Sequence, residues 1–179
     1  MKLVILDRDG VINFDSDQYV KSPSEWRPLP GSIEAIARLN QSGYRVAVAT
    51  NQSGIGRGLF DMATLNAIND KMMEMVFRQG GRIDALFFCP HTADENCNCR
   101  KPRTGMLEEI ATRFHADLKG VPAIGDSLRD LQAADAVGAL PILVLTGKGK
   151  LTQEQGGMPK KTLVFEDLAE ASRHLIAHA

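Results

Sequence analysis

A three-layer α/β fold built on a mostly parallel sheet is what these 179 residues predict, and three observations carry the prediction. Short apolar runs alternate with longer stretches of helical periodicity along the whole chain. The apolar runs are continuous rather than alternating, as strands covered on both faces require. Nearly every run ends in a polar cluster, and no repeat, low-complexity tract or linker interrupts the order. Strand–helix alternation of this kind implies parallel strands joined by crossover helices on both faces, in one domain spanning 1–179.

Each element follows in turn. "KLVIL" (2–6) is the first strand. A polar loop leads to Gly31, and "SIEAIARLNQSG" reads as a helix, with Ile33, Ile36, Ala37 and Leu39 on one side. Ser32 can cap its start and Gly43 can end it. "YRVAVAT" (44–50) is the second strand. Residues 62–79 form a helix with Leu65, Ile68, Met72, Met75 and Val76 at helical spacing, and Met73 belongs to the same packing group. "RIDALFF" (82–88) is the third strand, 104–115 a helix, and "GVPAIGD" (120–126) carries the fourth strand. Residues 128–137 form a helix ended by Gly138, and "PILVL" (141–145) is the fifth strand. The segment 147–161, rich in Gly, Lys and Gln, reads as a surface loop. "TLVF" and "EDLAEASRHLIAHA" close the chain as a short strand and a helix. No connection is long enough for a separate cap domain.

Composition excludes several classes. Hydrophobic content of 44% and charged content of 24% are those of an ordinary globular domain. A net charge of −1, without clustered Lys/Arg and aromatics, argues against nucleic acid and anionic membrane as partners. "MKLVIL" is too short for a signal-peptide core, and no stretch spans a bilayer. A cytoplasmic monomer is therefore expected, with its thiols reduced.

In open parallel sheets, ligands bind beyond the carboxyl ends of the strands. The residues there are "DRDG" (7–10), "TNQSG" (50–54), the cysteine segment with Arg100 and Lys101, and "GDSLRD" (125–130). Asp7 and Asp9, two apart, point the same way in extended chain. Asp126 adds a third carboxylate. Three carboxylates brought together repel, so a cation is expected among them, and oxygen ligands suit Mg²⁺. "DG" is also ordinary turn chemistry, but a turn alone does not account for the polar clusters that end the neighbouring strands. "GIGRG" (54–58) and "TGKGK" (146–150) fail the P-loop spacing.

"CPHTADENCNCRKP" (89–102) holds every cysteine of the chain. Cys89, His91, Cys97 and Cys99 make a Cys₃His set of the tetrahedral zinc kind. With all four positions filled by protein, the Zn²⁺ is structural, since water activation needs an open position. It substitutes for a core that so polar a loop (89–99) cannot form, and it fixes the backbone that aims Arg100 and Lys101.

"DRDG", "TNQSG", "RKP" and "GDSLRD" resemble, in order and placement, the four motifs of the haloacid-dehalogenase-like (HAD) phosphatases. "DRDGVIN", "ATNQSGIGRG", the "CPH…CRKP" segment and "TGKG" resemble most the heptose-bisphosphate phosphatases, with the histidinol-phosphate phosphatases as near relatives. The resemblance implies a Rossmann-like fold and an aspartyl-phosphate mechanism. In it Asp7 is the nucleophile, and Asp9 is the general acid and then base, partly protonated near neutral pH. Mg²⁺ is held by Asp7, Asp126 and the backbone carbonyl of Asp9. Thr50 and Lys101 bind the phosphoryl oxygens, helped by the amide of Asn51. Asp130 either supports the metal site or holds its helix in place. Ser127 departs from the family pattern, which often has an acidic residue or lysine there.

Specificity falls to loops 13–20, 51–58 and 89–103. Asp15 and Asp17 can accept from sugar hydroxyls, Arg100 can fork onto a second phosphate, and Asn51, Gln52 and Ser53 complete the set. A phosphorylated sugar, heptose 1,7-bisphosphate, is the expected substrate, cleaved at C7 for lipopolysaccharide-core precursor synthesis. Histidinol phosphate is the alternative. A zinc-bearing binding module without activity is a third reading, opposed by the intact Asp7/Asp9 pair. Trp26 either packs under its loop or touches substrate. His115, His174 and His178 are expected to be solvated.

Overall fold

The computed structural model describes all 179 residues. Six strands form one sheet: β1 (Lys2–Leu6), β2 (Tyr44–Asn51), β3 (Ala85–Cys89), β4 (Pro122–Gly125), β5 (Leu140–Val144) and β6 (Leu163–Phe165). Their order is β3-β2-β1-β4-β5-β6, and every pairing is parallel. Central β1 aligns Ile5 with Ala47 of β2 on one edge and with Ala123 of β4 on the other.

Seven helices cover the sheet: α1 (Ser32–Gln41), α2 (Ser53–Gly56), α3 (Met62–Arg78), α4 (Gly105–Phe114), α5 (Leu128–Ala136), α6 (Gly149–Gln155) and α7 (Leu168–Ala177). One core lies between the sheet and α1, α3 and α7, where Ile36, Leu39, Ile68, Met72 and Leu168 are buried. A smaller core lies under α4 and α5, with Met106, Leu107, Ile110 and Ala133. Alanines on that face of β2 and β4 (Ala47, Ala49, Ala123) give the two helices room.

Four expectations need correcting. The 147–161 segment is not all loop, because α6 occupies Gly149–Gln155. Only Gly149 and Thr152 of it are buried, so it carries no apolar stripe for periodicity to detect. Ser32 does not cap α1. Gly31, in the left-handed region (φ +78°), holds that position. The Ser32 hydroxyl instead donates to the carbonyls of Ile12 (2.6 Å) and Leu29 (2.9 Å), tying the loop after β1 to the helix start. β3 starts three residues later than its apolar run suggests and ends one later, and Asp84 stands in for strand backbone ahead of it. The Asp84 carboxylate accepts the Val46 N–H at 2.8 Å while its own N–H donates to Val46 O. Finally, His174 is half-buried rather than solvated, its ring 4.9 Å from that of Phe165 and 4.2 Å from that of His178.

Trp26 is fully buried in the larger core, with the Lys71 ammonium 5.9 Å from its ring centroid. It packs under its loop.

Candidate active site

The strand order reverses between β1 and β4, and their carboxyl ends open the crevice where such sheets bind ligands. Asp7 follows β1 and Asp126 follows β4, so the topology alone sets two carboxylates across that crevice. A cavity of about 270 Å³ lies above them, almost wholly polar in its lining.

Asp7, Asp126 and Asp130 each bring a carboxylate oxygen to within 4.8 Å of the others. Burial is the largest cause lifting the Asp7 carboxyl, with the Asp130 charge next, and it is pushed up to about 7. Burial and the Asp7 charge push Asp126 up to about 8. Both shifts record one conflict, negative charge gathered without enough positive charge to balance it.

Asp126 is gripped closely. Its Oδ2 accepts the Lys148 N–H at 2.9 Å, and its carbonyl accepts the Thr152 hydroxyl of α6 at 2.8 Å. Gly10 and Gly147, both at positive φ, flank the carboxylate. A Cβ on Gly10 would lie 2.0 Å from Asp126 Oδ2, and one on Gly147 2.3 Å from the same atom. No side chain fits at either position.

Lys101 is 4% exposed. Its Nζ lies 2.7 Å from Asp130, 3.2 Å from Asp7 and 2.7 Å from the Ala49 carbonyl, so all three ammonium protons have acceptors. The other Asp130 oxygen accepts the N–H groups of Asp126 and Ser127 at 3.1 Å and the Ser127 hydroxyl at 2.9 Å. Asp130 thus closes the start of α5, as the helix reading of it expected, and also pairs with the lysine. Although burial opposes ionisation, Lys101 and the Ser127 donors hold its carboxyl below the ordinary range. Ser127, at the N-cap of α5, fits this arrangement because its hydroxyl reaches Asp130.

Asp9 differs from its neighbour. β1 ends at Leu6 and the chain bends at Arg8, so Asp7 and Asp9 do not share a continuous strand, and the Asp9 carboxylate stays outside the acidic trio. It accepts from Arg8 Nε (2.9 Å) and Nη2 (3.3 Å), Asn13 Nδ2 (3.0 Å) and Gln52 Nε2 (3.0 Å). Burial alone would raise its pKa. The Arg8 charge and these donors outweigh burial and hold the carboxyl below its ordinary value. The expectation of a partly protonated Asp9 therefore does not hold in this arrangement. Arg8 is itself fully buried and donates its remaining nitrogen to Asn69 of α3 at 3.1 Å.

The other expected site residues divide in two. Asp15, Asp17, Thr50, Asn51, Ser53 and Arg100 all line the cavity. Gln52 does not. It is buried, and its amide is spent on Asp9 and the Thr50 hydroxyl (2.9 Å). Sequence reasoning missed Arg57, Arg129 and Lys148, whose side chains also line the cavity. The Lys148 ammonium faces Asp15 at 3.7 Å and Asp17 at 4.0 Å. The "TGKG" stretch was the available signal for Lys148. Arg129 stands inside the "GDSLRD" stretch, and only the helix geometry shows that it lines the cavity.

Beside the cavity, Cys89, His91, Cys97 and Cys99 bring their ligand atoms to within 4.8 Å of one another. Cys89 Sγ lies 3.0 Å from Cys99 Sγ and 3.6 Å from Cys97 Sγ, and His91 Nδ1 lies 3.3 Å from Cys99 Sγ. A tetrahedral zinc, with Zn–S about 2.3 Å and Zn–N about 2.0 Å, spaces its ligands about 3.5–3.8 Å apart. The cluster is compatible with such a centre. Arg103 clasps the loop from outside, through the Cys97 carbonyl and Asn96 (2.8 Å).

A family model described as HAD-hydrolase-like matches residues 98–171. Over its full 179 residues the chain is 59% identical to the D-glycero-beta-D-manno-heptose-1,7-bisphosphate 7-phosphatase of Bordetella bronchiseptica, covering 100% of both proteins. The chain belongs to the heptose-bisphosphate phosphatase family. The family member named for the same reaction in Pseudomonas aeruginosa is 52% identical over 174 residues, 97% of each chain. Among solved structures of the family, the Bordetella bronchiseptica phosphatase complexed with magnesium and phosphate superposes with a TM-score of 0.99 and full coverage of both chains. The Burkholderia thailandensis member, 53% identical, superposes with a TM-score of 0.79 over 99% of each chain. The family resemblance read from the four strand-end motifs is borne out, and with it the α/β fold and the phosphoric monoester hydrolase class. No helix is long and apolar enough to cross a membrane.

Proposed function

We propose that this chain hydrolyses the C7 phosphate of D-glycero-D-manno-heptose 1,7-bisphosphate, yielding heptose 1-phosphate for lipopolysaccharide-core precursor synthesis. The observation that carries the reading is Asp7 beside Lys101 and Asp126 on the floor of the polar cavity.

The carboxylates of Asp7 and Asp126, raised by burial and mutual repulsion, are a donor set suited to a hard cation. With the backbone carbonyl of Asp9, they would hold Mg²⁺, which when bound supplies positive charge at the transferring phosphoryl group. Cys89, His91, Cys97 and Cys99 would hold Zn²⁺ as a structural ion, consistent with the spacing of their ligand atoms.

The chain's own residues do the rest. Asp7 attacks phosphorus in line, forming an aspartyl-phosphate that water then cleaves. Thr50 and Lys101 hold the phosphoryl oxygens. Attack converts the Asp7 carboxylate into an acyl phosphate and moves its negative charge outward. The Lys101 proton that faced Asp7 is then free to follow that charge onto the phosphoryl group. Asp9 donates a proton to the leaving C7 oxygen and takes one from the attacking water. Held ionised by Arg8, Asn13 and Gln52, it must first take up that proton from solvent, which requires it to exchange part of its hydrogen bonding with them.

The substrate's second phosphate matches the cations around the mouth, Arg57, Arg100, Arg129 and Lys148. Asp15 and Asp17 would accept from the sugar hydroxyls. Histidinol phosphate, the phosphate ester of an amino alcohol, has no second anion for those cations to meet. The enzyme works in the cytoplasm as a monomer, and it works without nucleic acid, the last point supported by its near-zero net charge. Phosphorus NMR of the product mixture tests the assignment. The C7 ester signal should vanish and the anomeric phosphate persist; release of the anomeric phosphate sinks it.

A further inference from the structure

Asn51 is the last residue of β2 and lines the cavity, which invites the view that its side chain touches substrate. Its hydrogen bonds point elsewhere. Asn51 Oδ1 accepts the Lys101 backbone N–H at 3.0 Å, and Asn51 Nδ2 donates to the Lys101 carbonyl at 3.2 Å. One carboxamide therefore takes up both backbone groups of a residue 50 positions away. This is the pairing a neighbouring strand would offer, supplied by a side chain where the sheet has ended. The chain between the two residues holds the whole Cys₃His loop, and Cys99 lies two residues before Lys101. Two backbone bonds help from the other side: Gln52 N–H to Cys89 O (2.7 Å) and Gly56 N–H to Pro90 O (2.9 Å). The cysteine loop is thus seated on the end of β2 at several points, but it is the Asn51 carboxamide that grips the backbone of the residue carrying the buried ammonium.

We propose that Asn51 is a positioning residue for the phosphatase reaction, its carboxamide registering the cysteine loop against β2 and so fixing Lys101 against Asp7. The inference rests on the reading above, in which Lys101 serves the transferring phosphoryl group. A long lysine side chain reaches a defined point only if its Cα is fixed, and two short bonds to the backbone of Lys101 fix it. Without them the ammonium keeps its acceptors at Asp130 and the Ala49 carbonyl but gains freedom toward Asp7.

A double-mutant cycle on zinc-loaded enzyme separates this from direct substrate contact. Asn51→Ala, Lys101→Ala and the double variant are compared for kcat and KM on the bisphosphate and for orthophosphate affinity by calorimetry. Acting through Lys101, Asn51→Ala lowers kcat about 10–100-fold, the usual cost of losing a group that orients a reacting one. KM changes little and zinc content stays that of the wild type. In the Lys101→Ala background the same substitution costs less than about twofold, because nothing is left to position. Asn51→Asp keeps the acceptor for the Lys101 N–H and loses the donor, so it falls between wild type and Asn51→Ala. It also serves as the readable variant if Asn51→Ala folds poorly. Multiplicative losses in the cycle, a loss carried in KM, or zinc release matching the activity loss each overturn the proposal. If Lys101→Ala keeps wild-type activity, the role given to Lys101 fails and this inference with it, whereas a crippled Lys101→Ala with additive Asn51 effects fails the inference alone.

Discussion

Asp7 and Asp9 sit two residues apart and have opposite electrostatics. Asp7 faces other carboxylates, while Asp9 faces a buried arginine and two amides. Asp7→Asn should abolish turnover in a folded protein, and Asp9→Asn should slow both half-reactions by about 10²–10⁴, the worth of general acid–base help. Single-turnover phosphate release checks both, and a near-wild-type Asp7→Asn refutes the covalent route. The raised carboxyls set a pH dependence as well. A carboxyl whose folded pKa lies above its unfolded value of 3.8 favours folding while protonated, and that contribution fades as pH climbs. For Asp7 and Asp126 the loss runs from about pH 4 to about pH 8 in metal-free protein. Mg²⁺ relieves the repulsion only where both are ionised. The rise in Tm on adding Mg²⁺ should therefore be larger at pH 8 than at pH 6, and equal increments by scanning calorimetry contradict the assignment of those carboxylates.

At the scale of elements, the sequence was most readable where burial demands a pattern. The continuous apolar runs became β1, β2, β4 and β5, because a strand covered on both faces has to be apolar throughout. Their ends pointed to Asp7, Thr50 and Asp126 for the same topological reason. What could not be read was held by short polar contacts between distant segments. Helix α6 is a case, since its seven residues lack an apolar stripe and Thr152 joins it to the Asp126 carbonyl. The burial of Gln52 is another, as no spacing rule says that an amide beside Thr50 turns inward to Asp9. Thr152→Val should cost about 1–2 kcal/mol by urea denaturation, the usual toll for stranding buried partners. It should also lower kcat several-fold by loosening Asp126; unchanged kcat detaches α6 from the site. The cysteine loop carries its own expectation. Purified protein should hold about one zinc per chain, and Cys97→Ser should lower Tm with no rescue by Mg²⁺. Elemental analysis showing no zinc, with Cys97→Ser fully stable, removes the structural role.

For the whole molecule, a net charge of −1 hides a strongly charged site, in which Asp7 and Asp130 close on buried Lys101 while Arg57, Arg100, Arg129 and Lys148 line the cavity with Asp15 and Asp17. That arrangement separates the two basic residues that follow Cys99. Arg100→Ala should damage use of the bisphosphate by about 2–4 kcal/mol in kcat/KM, as for loss of a forked charged contact, and spare small monophosphates. Lys101→Ala should damage both substrates alike, because it serves the group being transferred. Equal losses of both substrates in Arg100→Ala would leave the second phosphate without its proposed partner.

The central place of β1 also governs how the protein is made. Ile5 pairs with Ala47 on one side, but its other neighbour, Ala123, leaves the ribosome much later. At about 5–20 residues per second, on the order of ten seconds separates the two pairings. In that interval β1 has one edge open, and the helices on the later half of the sheet do not yet exist. The cysteine loop, encoded before β4, emerges while the acidic floor still lacks Asp126. Chain order thus completes the Cys₃His set before the acidic floor, so the two halves of the site are assembled one after the other.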